Sequence, residues 1–380
     1  MENMLSSPSS SHAFVLTPSP NHSEMIADLV LESYDEGIPD FLEHDLARLY
    51  RSVHSSLPQF RIHGGAENAR VYVAHSAGRV VSALIYRIDG RQAVVINQCF
   101  VLDDAELSLF AAYIFKRFPQ VDAIACRIVE SRLHSIRYPL QVYQCSEDYV
   151  LKLPATIEEY HAQLGKSTRS YVNRYLNKLR RLHPTFIFEV HTGSDIRGED
   201  VVAVFDMNRQ RMSERGTYYG YSADYPERTT QLLRESGVLC LARINGEICA
   251  GTILYEVEGE YFLDVLSHRS EYNDIGLGTL CCYLSICECI KRGGSVYHFL
   301  WGRYDYKLRL GGVERPMSAV TLYRSRMHML LRLDIALTQA GQGAMFKSKR
   351  RIREFSEREG VLSRLVGKLL SSGRRMRAEA

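Results

Sequence analysis

The sequence predicts an α+β protein built from two copies of one plan. Three observations carry this: two antiparallel meanders with matched turn spacing, a helix and then a strand behind each meander, and a length beyond one ordinary domain. The chain has 380 residues, 46% apolar and 24% charged, enough for two units of roughly 150 to 200 residues with cores of their own. This composition excludes wholesale disorder, collagen-like repeats and a coiled coil.

The elements follow in chain order. Residues 1–20 hold six Ser and three Pro and read as a loose tail rather than an export signal, which implies a cytoplasmic protein. Residues 21–150 form the first unit. Residues 22–33 and 40–54 read as helical. VYVAH, VVSALIYRI and AVVINQCFV read as strands separated by turns at Ala77-Gly78 and Asp89-Gly90. A helix over 104–117 and a strand over 123–129 follow.

The second unit, residues 151–323, repeats this order. Helical material at 156–182, 199–215 and 227–236 precedes VLCLARI, ICAGTILYEV and EYFLDVLSH, with turns at Asn245-Gly246 and Glu258-Gly259. A helix over 277–292 and a strand over 295–301 close the plan. The two meanders lie about 168 residues apart. Residues 324–380 form a basic helical tail with fourteen Lys/Arg against five Asp/Glu, although the whole chain is only +3. In it Val361, Leu362, Leu365, Val366, Leu369 and Leu370 recur at helical spacing, an amphipathic helix that docks onto the protein's own body or else, over residues 361–377, contacts a membrane surface or a partner.

Several classes of function are excluded or weakened. No uncharged apolar run reaches the ~18 residues of a membrane-spanning helix. The nine cysteines lack CxxC spacing, so they read as small buried hydrophobes, and no metal site is expected.

Candidate chemistry concentrates in the second unit. Asn273-Asp274-Ile275-Gly276-Leu277-Gly278-Thr279 leads into the helix after the meander. Glycines at a helix start let free backbone N–H groups approach an anion such as a pyrophosphate. A Rossmann unit is excluded, because the strands before the pair are antiparallel and no third glycine follows. In the first copy Leu102-Asp103-Asp104-Ala105-Glu106 stands at this place. Its acids repel pyrophosphate, so that copy reads as scaffold or acceptor wall. The segment 165–183 carries six Lys/Arg and no acid, with Tyr171, Val172, Tyr175, Leu176, Leu179 and Leu182 on one face and Arg169 and Arg174 among the basic residues opposite. It suits a phosphate-bearing substrate or carrier. Tyr218, Tyr219 and Tyr221, with Arg211 on the helix before them, are candidate acceptor contacts.

Meander, glycine pair, helix and strand resemble the GNAT acyltransferases, whose acyl-CoA motif Q/R-x-x-G-x-G/A aligns with Asn273, Gly276 and Gly278. Asn273 departs from Gln/Arg. The segment His298–Gly311, with its Gly-x-x-x-Tyr-Lys pattern at Gly302, Tyr306 and Lys307, resembles the FemAB-like and BioF-two-like (CelD-related) branch, which carries tandem GNAT units.

The resemblance implies a tandem GNAT fold and an N-acyltransferase. Its donor is acyl-CoA, acetyl or longer, or an acyl-carrier protein, held by residues 273–279. The acceptor is a small-molecule amine, a sugar nucleotide or amino-acid-like compound in polysaccharide or cell-envelope biosynthesis, and no nucleic acid is involved. It also implies Asp264 and His268 as candidate bases, Tyr304 or Tyr306 as the acid for the leaving thiolate, and Lys307 as an oxyanion stabiliser. The alternatives are a Fem-type transferase using aminoacyl-tRNA and a non-catalytic binding protein of the same fold.

Overall fold

The computed structural model describes residues 18–26 and 28–358. The first copy comprises β1 (His22–Ile26), β2 (Leu29–Tyr34), α1 (Glu43–Tyr50), α2 (Leu57–His63), β3 (Arg70–Ser76), β4 (Arg79–Asp89), β5 (Gln92–Val95), β6 (Val101–Asp103), α3 (Asp104–Arg117), β7 (Ala123–Arg132) and β8 (Leu140–Lys152). The second comprises α4 (Ile157–Gln163), α5 (Lys166–Leu182), β9 (Ile187–Thr192), α6 (Gly198–Glu214), α7 (Tyr225–Ser236), β10 (Gly237–Ile244), β11 (Glu247–Val257), β12 (Glu260–His268), α8 (Leu277–Lys291), β13 (Val296–His298), α9 (Asp305–Arg309) and β14 (Val313–Tyr323). Two further helices follow, α10 (Arg326–Leu331) and α11 (Leu333–Arg358).

The repeated plan is present. β3–β4–β5 and β10–β11–β12 are antiparallel meanders, and each continues through a helix, α3 or α8, to a strand parallel to its last member. Ala77-Gly78, Asn245-Gly246 and Glu258-Gly259 all adopt positive φ, the conformation that two-residue hairpins need.

All strands belong to one sheet, ordered β1-β2-β3-β4-β5-β7-β14-β8-β13-β12-β11-β10-β9, with β6 beside β7. The copies exchange their final strands here. β14, late in the second copy, pairs with β7 of the first, while β8 lies between β14 and β13. The sequence boundary at 150/151 therefore falls inside β8, a strand whose two neighbours both lie beyond residue 290.

Three expectations change. Residues 22–33 are not helical but form the β1–β2 hairpin, because Leu31 and Ser33 alternate inward and β2 pairs with β3. The apolar stretch 93–101 is not one strand: it breaks after Val95, where buried Asn97 accepts a hydrogen bond from Ile85 N and Cys99 takes φ 61°. Leu182, placed on the packing face of α5, is half exposed, whereas Val172 and Leu179 are fully buried.

In the second copy the sheet is covered on both faces. Val172, Cys282, Ile286 and Ile290 join one core from α5 and α8, while Val201, Val204, Phe205, Leu232 and Leu233 of α6 and α7 form the other with Phe262 and Val265. All nine cysteines are free, and all but Cys145 are buried. No helix among the described residues is long and apolar enough to cross a membrane. Residues 361–377 lie outside the described residues.

Candidate active site

The site is built by the parting of two strands. β12 pairs with β13 only through Glu260–Phe262, the last rung being Phe262 opposite His298. Beyond it β12 stays paired with β11 as far as His268, but no strand lies along its other edge. The β11–β12 register skips Asp264, so a bulge sets this carboxyl out of the ladder.

Asp264 lies against tyrosines. Tyr255 Oη donates to Asp264 Oδ2 at 3.5 Å, and the charge of Asp264 is felt at Tyr221 and Tyr225. Burial raises the Asp264 carboxyl to about 6. The Tyr221 ring also meets Tyr219 edge-on at 5.4 Å and lies tilted 4.7 Å from Tyr225. His63 of the first copy meets Tyr225 at 4.9 Å.

At the end of β12, His268 Nε2 lies 2.8 Å from Asn273 Oδ1. An amide oxygen can only accept, so Nε2 carries the proton. Arg211 of α6 donates to Leu266 O at 3.3 Å and approaches His268 Nδ1 at 3.4 Å. Burial and the nearby Arg211 and Arg215 hold His268 below its ordinary value and thus neutral. Tyr306, raised by burial, feels the charge of Arg211. Its ring stacks 6.1 Å from that of exposed Tyr304.

The helix entry comes next. Gly276 has φ 61° and caps α8 without any side-chain hydrogen bond. The first amide bonded back into the helix is that of Leu280, to Gly276 O, leaving the N–H groups of Leu277, Gly278 and Thr279 as the uncompensated helix start. Ile275 and Leu277 turn their side chains into the core, so they offer backbone only. A Cβ at Gly276 would collide with the Tyr171 hydroxyl, and one at Gly278 with the His268 ring. The glycines therefore allow a close approach, and the groups that approach are the chain's own. Tyr171 lies beside Thr279 and feels the charges of Arg309 and Arg174. The Tyr171 hydroxyl and the His268 ring thus fill the space over the two glycines.

Lys307 differs from its expected role. Its Nζ donates to Phe299 O at 2.8 Å, Leu300 O at 2.9 Å and Trp301 O at 2.6 Å. An ammonium has three N–H groups and all are used, so it clamps the chain leaving β13 instead of facing a reacting carbonyl. Burial lowers it to about 8.

Arg169 donates to Ala162 O and Arg174 lies over the Tyr175 ring. Arg174 acts on Tyr171 at the glycine corner, and Lys178 bonds Asp274 beside it. Tyr218 is 86% exposed and joins nothing. Tyr219 and Tyr221, with Arg209 and Arg234, line an open groove of 700 Å³ between α6 and α7.

Other groups were not picked out in the sequence. His298, fully buried, bonds Asp148 Oδ2 at 2.7 Å and Glu260 Oε2 at 2.9 Å and stacks on Phe262 at 4.3 Å. It joins β8, β12 and β13 where the strands part, and the two carboxylates outweigh burial to raise its pKa. His54 of the first copy lies 6.4 Å from Phe262 and 5.7 Å from Trp301, with Nε2 buried and unpartnered. It stands at one end of a 710 Å³ cavity that α2, β5, β7, β14 and α11 enclose. No group of His, Cys, Asp and Glu suited to a metal occurs among the described residues.

The comparisons agree with this architecture. Residues 166–308 match the family described as acetyltransferase (GNAT) domain. FemX shares the fold at TM-score 0.55 and 10% identity, over 79% of this chain and 99% of that one. A conserved protein of unknown function from Bacteroides thetaiotaomicron does so at 0.52 and 12%, over 77% and 99%. No curated protein matches the chain. The fold is a tandem GNAT fold, and the residues that match the acetyltransferase domain lie in its second copy, which supports a transferase enzyme.

Proposed function

We propose that the protein is an N-acyltransferase that moves an acyl group from a thioester to an amine held where β12 leaves β13. The observation that carries this reading is the bulged, half-buried Asp264 on the one stretch of β12 with a strand-free edge, on the strand that leads into the uncapped start of α8. Acyl-CoA, or the phosphopantetheine arm of an acyl-carrier protein, supplies the activated acyl group. The N–H groups of Leu277, Gly278 and Thr279 would hold its phosphate, with Arg174 and Arg309 adding positive charge and Tyr171 moving aside.

Asp264 is suited to take a proton from the acceptor ammonium at its carboxylate oxygen, since a base near 6 is ionised at neutral pH yet basic enough to serve. His268 stays neutral and fixes Asn273. Arg211 ties α6 to the edge of β12. Tyr306, whose phenol burial keeps protonated, is the candidate acid for the leaving sulfur.

His54 and His63 form the first copy's wall of the site, and the 700 Å³ groove lined by Tyr219 and Tyr221 has room for a polar acceptor such as an aminosugar or amino-acid derivative. We extend the proposal to the FemAB-like and BioF-two-like branch, to a sugar-nucleotide acceptor, and to cytoplasmic work in polysaccharide or envelope biosynthesis without nucleic acid.

The test is thermal stability of the purified chain with acyl-CoAs of increasing length. A saturable rise in Tm, enlarged in Tyr171→Ala because the occupying hydroxyl is gone, supports the donor assignment. An unresponsive Tm in both proteins removes it.

A further inference from the structure

Helices α10 and α11 carry an apolar face that no described part of the chain covers. Their inner side is accounted for. Met329 packs on the small core of Ala123, Tyr323 and Ala336. Gln141 Nε2 donates to Ala336 O at 3.0 Å, Tyr143 Oη donates to Gln342 Oε1 at 2.6 Å, and Arg350 pairs with Glu314 at 2.7 Å. On an ordinary surface helix the opposite side is polar. Here Met327, Leu330, Leu331, Leu333 and Leu337 stand 48–68% exposed, and Met345 and Ile352 continue the exposed series along α11. The spacings 327/330/331 and 333/337/345/352 keep each set on one side of its helix.

The flanking charge has one sign. Arg326, Lys347, Lys349 and Arg351 are exposed and form no ion pair among the described residues. Asp334, the one acid between 326 and 352, is held by Arg332 at 3.2 Å. Scattered exposed leucines are ordinary, but a stripe of them flanked by unpaired cations is not.

We infer that this face of α10 and α11 seats on an anionic membrane surface. The apolar side chains enter the boundary between headgroups and acyl chains, and the Lys/Arg flanks meet the lipid phosphates. A second copy of the chain fits less well, since a two-fold contact would bring the same cations face to face. The inference does not depend on the proposed reaction.

The experiment is co-sedimentation of the full chain with vesicles of phosphatidylglycerol and phosphatidylcholine, against vesicles of phosphatidylcholine alone. The expected result is pelleting with the anionic vesicles that weakens as salt rises. The variant Leu330→Asp/Leu331→Asp/Leu337→Asp should lower that partitioning at least tenfold with Tm unchanged. If this variant does not fold, Leu337→Asp alone should lower it about threefold. Lys347→Gln/Lys349→Gln/Arg351→Gln should remove most of the salt dependence. Absence of pelleting with anionic vesicles overturns the inference. So does unchanged pelleting of the folded aspartate variant, which would assign binding to another segment such as 361–377. A dimer in lipid-free sedimentation that the aspartate variant dissociates would assign the face to a second copy instead.

Discussion

The two copies enter their long helices in opposite ways. In the first, Asp103 caps α3 by accepting from Glu106 N at 2.9 Å, Asp104 accepts from the amides of His134 and Ser135, and Glu106 accepts from the hydroxyls of Ser82 and Tyr50. The helix start is sealed by its own carboxylates. In the second, Gly276 offers no cap, and a tyrosine from another helix lies over the exposed amides. One corner is thus closed by carboxylates of its own copy and the other by a tyrosine and a histidine ring packed against its glycines.

Each copy also holds a half-buried carboxyl whose pKa is raised, Glu106 to about 7 and Asp264 to about 6, and separating their effects is the sharpest way to break the comparison. Asp264→Asn should lower kcat by roughly 10²–10⁴ and remove the rise of kcat/KM with pH near 6. Retained activity with an unchanged pH profile would show that the base lies elsewhere.

Lys307→Met comes next in size. It leaves three carbonyls without their donor, so a stability loss of about 3 kcal/mol is expected from chemical denaturation. If stability is kept and only turnover falls, the ammonium acts on substrate after all. The paired corner variants are smaller. Gly276→Ala should destabilise by about 1–2 kcal/mol through its positive φ and shift donor binding, whereas Asp103→Ala should cost about 1 kcal/mol and leave donor binding untouched. Equal effects on donor binding would erase the distinction between the corners.

The smallest effect is the pH dependence due to Glu106. Because its native pKa lies above the ordinary carboxylate value, the native state binds the extra proton, and this contribution to stability falls as pH rises from the ordinary range through about 7. Glu106→Gln should flatten that part of the stability profile without changing turnover, as read from Tm between pH 4 and 8.

Much of this division was legible in the sequence. Gly78, Gly246 and Gly259 mark hairpins because two-residue turns need positive φ, and α3 and α8 follow from apolar periodicity. The sequence pointed to the glycine corner, Asp264, Arg211 and Tyr221, and the fold gathers these along the end of β12 and the helices beside it. β8 was not legible: Gln141, Gln144, Ser146, Glu147 and Asp148 give it a polar sequence, and β13 and β14 on either side make it a strand. β14 was hidden similarly by Pro316, which sits next to a register shift where a missing N–H is tolerated. Lys307 stood out because of its motif, but residue type alone does not tell an ammonium aimed at a ligand from one satisfied by its own backbone. His54 and His63 meet the site only through the packing of one copy on the other.

The exchange of β8 and β14 has a consequence for how the protein is made. The ribosome delivers the first copy's neighbour for β7 only after some 180 further residues have emerged, so the nascent amino-terminal half keeps a raw sheet margin throughout that interval. A fragment ending at residue 150 should therefore aggregate when expressed alone and be rescued by co-expression of the remainder, making the two halves partners in assembly before either is a finished body.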